Sequence, residues 1–167
     1  MDRYEISQEM NRVRSEFHQL IDKASMDDLR RRSHGTRWTN RQLLFHVVLG
    51  YLVVRTLMPL VHALGRLGHS QGFAATLNAA RRPFHAINYL GSCGGGQLLT
   101  TRAMAALLDR TIVALQRNLA AETNRFLALA MHFPTRWDPY FTPTMSVLDV
   151  YHFGTQHFDH HRQQLSL

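Results

Sequence analysis

The segment Thr39-Asn-Arg-Gln-Leu-Leu-Phe-His-Val-Val-Leu-Gly50, continued by Tyr51-Leu-Val-Val-Arg-Thr-Leu-Met-Pro-Leu-Val-His-Ala-Leu64, reads as one long helix. Thr39 followed by Gln42 has the form of a capping box, in which each side chain satisfies a free backbone N–H of the helix start. Leu43, His46, Gly50, Val53, Leu57, Leu60 and Leu64 then recur at alternating spacings of three and four, which places them on one face. Pro59 removes a ladder donor and crowds the preceding turn, so a kink is expected there. The apolar run is long enough to raise the question of a membrane span. His46, Arg55, Pro59 and His62 interrupt it, and the uncharged part left is too short for a bilayer. A buried helix is the better reading.

Working outward, Ile6, Met10, Val13, Phe17, Leu20 and Ala24 form the inner face of a preceding helix. Asp27 to Gly35 reads as a polar loop. Beyond Leu64 a short helix is expected over Phe73 to Ala80, ended near Arg82 by Pro83. The glycine-rich stretch Gly91-Ser-Cys-Gly-Gly-Gly96 reads as a flexible hinge. A third long helix follows from about Leu98 to Ala130, with Leu108, Ile112, Leu115, Leu119, Phe126 and Leu129 inward. Pro134, Pro139 and Pro143 mark a crossing loop, with Thr142 and Pro143 as the cap and first turn of the last helix. That helix carries Val147, Val150, Gly154, His157, His161 and Gln164 on one stripe. No strand-like alternation of useful length is present. The expected fold is all-α, a four-helix bundle with a long connection between its second and third helices.

Composition bounds the rest. A chain of 167 residues and 19.3 kDa is the size of one domain, taken as residues 1–167. The single Cys93 excludes an internal disulfide framework and any multi-cysteine zinc or iron–sulfur site. The net charge is +7, and all the basic residues except Lys23 are arginines. They are scattered from Arg3 to Arg162, with one tight run at Arg30-Arg31-Arg32 and no nucleic-acid-binding motif, so no nucleic-acid partner is expected. The start, Met1-Asp2-Arg3-Tyr4-Glu5, is charged and unlike a signal peptide, and a cytoplasmic protein without membrane association is expected.

Eleven histidines make chance pairs common: about 0.7 of a His-x-x-x-His pair is expected at this density, so the pair His157 and His161 carries little alone. Position adds to it. His157 and His161 share the inner stripe of the last helix, and His46 occupies the inner stripe of the second. One helical turn from His46 and His157, Gly50 and Gly154 would leave room for an ion and its ligand. An unpaired buried polar group costs about 1–3 kcal/mol, so three imidazoles in a dry interior need something that takes their lone pairs. Hydrogen bonds to backbone or water are one solution; a divalent cation, zinc or nickel foremost, is the other. Three protein ligands leave coordination positions open, as in catalytic rather than structural sites.

The residues Trp38-Thr-Asn-Arg-Gln-Leu-Leu-Phe-His46 with Gly50-Tyr51 resemble the second-helix motif of DinB-like proteins. Tyr151-His-Phe-Gly-Thr-Gln-His157-Phe-Asp-His-His161-Arg162-Gln-Gln-Leu165 resembles their last-helix motif, His-x-x-x-His-Arg-x-Gln, and Trp137-Asp138-Pro139 fits a subset of the family. The resemblance implies a bundle with a three-histidine metal site, often in a homodimer. It implies His46, His157 and His161 as the ligands. Family members include transferases that use bacillithiol or mycothiol, a maleylpyruvate isomerase, and proteins that hydrolyse a reactive natural product. The connection from Leu64 to Leu98 departs from the family pattern.

Three functional expectations follow. The first is a metal-dependent enzyme that activates a low-molecular-weight thiol, as co-substrate, for transfer to a small electrophile. The second is a hydrolase using the same site on water. The third is a metal-stabilised binding or stress-response module without catalysis. Around the site, His152 and His160 turn off the stripe, and Asp159 is a candidate support for a ligand imidazole. Arg162 is expected in a structural salt bridge, Tyr51 in the core, and Cys93 to be inert.

Overall fold

A computed structural model of the chain describes residues 1–68 and 70–167. The bundle is built from α1 (Arg3–Lys23), α3 (Asn40–Leu67), α6 (Thr101–Ala121) and α8 (Val147–Arg162), with the short α2 (Met26–Arg30) between the first two. The starts are set locally. Asp2 accepts from the Tyr4 and Glu5 N–H groups, Thr39 pairs with Gln42 as expected, and Ser146 forms a capping box with Asp149. α1 and α3 each pack against both α6 and α8, so they occupy opposite corners of the bundle. Ile6, Met10, Val13 and Phe17 meet Val48 and Tyr51, Leu108, Ile112 and Leu115, and Val150 and Tyr151 in one apolar core. The fold is an all-α bundle.

The connection between α3 and α6 differs most from expectation. It is helical, forming α4 (Gln71–Ala79) and α5 (Arg81–Leu98), and α5 lies against α3. Pro83 does not end a helix; it sits in the first turn of α5, where a missing N–H breaks no ladder bond. The stretch Gly91–Gly96 is no hinge but part of α5. Its glycines serve close packing: a Cβ on Gly95 would lie 2.1 Å from the Phe45 ring, and one on Gly96 would lie 2.8 Å from the Gln42 Cα.

The third long helix also stops earlier than its periodicity implied. α6 ends at Ala121, and Thr123 caps a separate one-turn helix, α7 (Asn124–Leu127). Leu127 rather than Phe126 is buried there. Two three-residue strands follow, β1 (Ala130–His132) and β2 (Thr144–Ser146), paired antiparallel with Met131 opposite Met145. α8 therefore begins after Ser146, not at Thr142-Pro143. The hairpin pins the crossing loop down. Trp137 Nε1 donates to the Leu77 carbonyl at 2.7 Å, and its ring stacks on Phe84 at 3.8 Å.

α3 runs unbroken through Pro59, whose position and that of Arg55 four residues before it are exposed, so water can reach the freed carbonyl. By length and composition α3 could cross a membrane, yet half of its most apolar window is buried inside the bundle. Its second half departs from expectation. Val54, Met58 and Val61 face the core, whereas Val53, Leu57 and Leu60 are 39%, 41% and 40% exposed. Those three look into a cavity.

Candidate metal centre

His46 on α3 and His157 and His161 on α8 are brought together at the wall of that cavity, buried to 4%, 6% and 9% exposure. One ligand nitrogen from each lies within 4.8 Å of the other two. His46 Nε2 is 3.1 Å from His161 Nε2, and the ring centroids of His157 and His161 are 4.5 Å apart. The four-residue spacing on α8 sets the second distance, and the packing of α3 on α8 sets the first.

Each ring is held by its other nitrogen. His161 Nδ1 is 2.7 Å from the Gln164 side-chain oxygen, and His157 Nδ1 is 3.3 Å from the Asp138 carboxylate. His46 Nδ1 is 3.1 Å from Ser92 Oγ, and that hydroxyl spends its own proton on the Asn88 carbonyl at 2.8 Å. All three partners can only accept here, so each imidazole carries its proton on Nδ1. The three Nε2 atoms are thereby left as bare lone pairs facing one another. His157 Nε2 is buried and has no hydrogen-bond partner among the described residues. The apparent contact between His46 and His161 cannot be a hydrogen bond when neither nitrogen bears a proton. A divalent cation bound at about 2.0–2.1 Å from each nitrogen is the chemistry such a donor set fits.

Electrostatics keep the ligands available. Burial and then the neighbouring imidazoles push the His46 pKa well below the ordinary histidine value. Burial, with His157 second, pushes His161 down to about 3. Burial by itself would raise the Asp138 pKa. The hydrogen bonds from His157 and the Tyr140 N–H outweigh it and hold the carboxyl below its usual value. Neutral imidazoles at His46 and His161, and an ionised carboxylate behind His157, suit a metal.

The neighbouring sequence serves this geometry. A Cβ on Gly50 would lie 2.6 Å from His157 Cδ2, so glycine at this position leaves room for the ring itself rather than for an ion. Gly154 serves a different ring: its missing Cβ makes room for Tyr51, 2.8 Å away, and again not for an ion. Tyr51 is fully buried with its hydroxyl 3.2 Å from that of Thr155, in the core and outside the cavity. Trp38 stacks on His46 at 4.4 Å. The close approach that Gly95 and Gly96 allow brings Ser92 of α5 to His46.

The cavity has a volume of about 370 Å³, within the range of small-molecule sites. Its walls come from α3, α4, α5, α8 and the crossing loop, and among the described residues the three imidazoles, Asp138 and His160 are its titratable groups.

The charged neighbours on α8 resolve as follows. Asp159 does not support a ligand; it takes a two-pronged bond from Arg12 on α1, at 3.0 and 2.8 Å. Arg162 pairs with Glu16 as a structural bridge, and His152 with Glu9. The supporting residues Ser92 and Asp138 were missed as such. Asp138 stood within the quoted Trp137-Asp138-Pro139, but nothing local tied it to His157. Gln164 lay on the predicted stripe and in the family motif.

A family model described as DinB superfamily matches residues 9–165. No curated protein and no solved structure matches the chain.

Proposed function

The chain belongs to the DinB superfamily, and from that premise we propose that it is a metal-dependent enzyme acting on a small molecule. In this reading His46, His157 and His161 hold one divalent cation, zinc or nickel, and the nucleophile is a low-molecular-weight thiol. The observation that carries it is the set of three protonless Nε2 atoms, each ring fixed from behind, at the wall of a substrate-sized cavity. When bound, the cation supplies positive charge that lowers the pKa of an incoming thiol or water near neutral pH. Ser92, Asp138 and Gln164 fix the ring orientations, so little reorganisation is needed. The apolar wall excludes bulk water from the reacting atoms. A cytoplasmic location and a homodimer belong to the same proposal.

Water as the nucleophile is the second reading. What favours it is that wall: the hydroxyls of a sugar thiol would find few partners among Leu49, Val53, Leu57 and Phe73. The test is turnover of a panel of small electrophiles by zinc- or nickel-loaded protein, with and without bacillithiol or mycothiol. Turnover that needs both metal and thiol supports the first reading. Metal-dependent turnover without thiol selects the hydrolase, and no turnover by fully loaded protein leaves the non-catalytic module.

A further inference from the structure

The cavity narrows the substrate more than the metal centre does. We propose that it selects an uncharged molecule with an aromatic or branched apolar body and one neutral polar group, and rejects carboxylates and phosphates. The inference rests on reading this cavity as the substrate chamber.

The body is defined by the walls. Val53, Leu57 and Leu60 of α3 face Phe73 and Leu77 of α4 across the cavity, and the stacked pair of Phe84 and Trp137 closes another side. Large apolar side chains left about 40% exposed on a bundle helix lose hydrophobic stabilisation unless something covers them. An apolar ligand that fills a cavity of about 370 Å³ does so.

Charge defines what is refused. The protein carries a net charge of +7, with arginines along its whole length, yet among the described residues neither an arginine nor a lysine lines the cavity. An anionic substituent along these apolar walls, away from the imidazoles, would lose its water and gain no ion pair.

The polar anchor is Asn88. It lines the cavity one helical turn before Ser92, and its side-chain amide makes no hydrogen bond among the described residues. An amide offers both a donor and an acceptor, which suits a carbonyl, hydroxyl or carboxamide, and it brings no positive charge to offset that of a desolvated anion.

The experiment compares 2-naphthamide with 2-naphthoate, which share a shape and differ in charge. Binding to the full chain is followed by tryptophan fluorescence and calorimetry, in chelator-treated and in zinc-loaded protein. The chelated protein isolates the wall, because a carboxylate can bind a cation directly. The expected result there is a Kd at least about tenfold lower for the amide, a difference of about 1.4 kcal/mol. Asn88→Ala should weaken the amide several-fold and leave naphthalene itself unaffected. Leu57→Arg, at a position that tolerates exposure, should reverse the preference toward naphthoate, with its zinc content showing that it is folded. Equal or tighter naphthoate binding in the chelated protein, or binding of neither probe, overturns the proposal. Amide binding by a protein that takes up no metal would uphold the chamber and sink the enzyme reading instead.

Discussion

The two long faces of α8 carry polar groups of opposite kinds. Toward α1, Asp159 is paired with Arg12, Arg162 with Glu16, and His152 with Glu9, in side chains that water partly reaches. Toward α3, His157 and His161 present Nε2 lone pairs for which the described residues offer no donor. Every charge on the outer face has its opposite within the chain. The inner face is left open, and in the proposed reading a cation completes it. Polar groups arranged for stability are satisfied by the fold itself, whereas those arranged for chemistry are held rigid and left wanting a ligand.

The sharpest way to break the contrast is His157→Ala. Wild-type protein should gain about 2.7 kcal/mol of stability at a hundredfold excess of metal over Kd, read as a rise in thermal midpoint with added zinc. The variant should show no rise. Gly50→Ala comes next, because its Cβ would sit 2.6 Å from the His157 ring and force it aside. It should cost about 1–3 kcal/mol in denaturation and weaken zinc more than about tenfold. Gly154→Ala gives the control: a similar loss of stability through Tyr51, with zinc affinity nearly intact.

Removing the rear supports should cut less deeply. Ser92→Ala and Asp138→Ala each free one ring to rotate or change tautomer, and a zinc titration should give a Kd raised about 10–100-fold. Asp138→Asn, which keeps an acceptor, should fall between Asp138→Ala and wild type. On the outer face, Arg12→Ala should lower stability by about 0.2–1 kcal/mol and leave zinc affinity unchanged by calorimetry. A large metal effect from Arg12→Ala would show that the two faces are not independent.

The long helices and the three histidines that cluster were legible because their signal is periodic and local: His46 shares a stripe with Leu43 and Gly50, and His157 and His161 share theirs with Val150. The connection was not. Glycine in a helix costs about 1 kcal/mol, and Gly95 and Gly96 are tolerated because they let α5 press against Phe45 and Gln42, a reason that exists only in three dimensions. Pro83 looks the same in sequence whether it ends one helix or opens the next. α6 was read too long because Leu119, Phe126 and Leu129 keep helical phase across the break that Thr123 caps. The split within α3, with Val53, Leu57 and Leu60 lining a cavity while Val54 and Met58 enter the core, depends on where α4 and the crossing loop lie. Asp138 reaches His157 because β1 pairs with β2, and three-residue strands leave almost no pattern to read.

The direct test of the centre is metal content by elemental mass spectrometry, on purified full-length protein beside His46→Ala, His157→Ala and His161→Ala. About one zinc or nickel per chain in the wild type, absent from each variant, is the expected result for a site that needs three imidazoles. A wild-type protein that stays empty after incubation with either metal, or variants that keep the full complement, would contradict it.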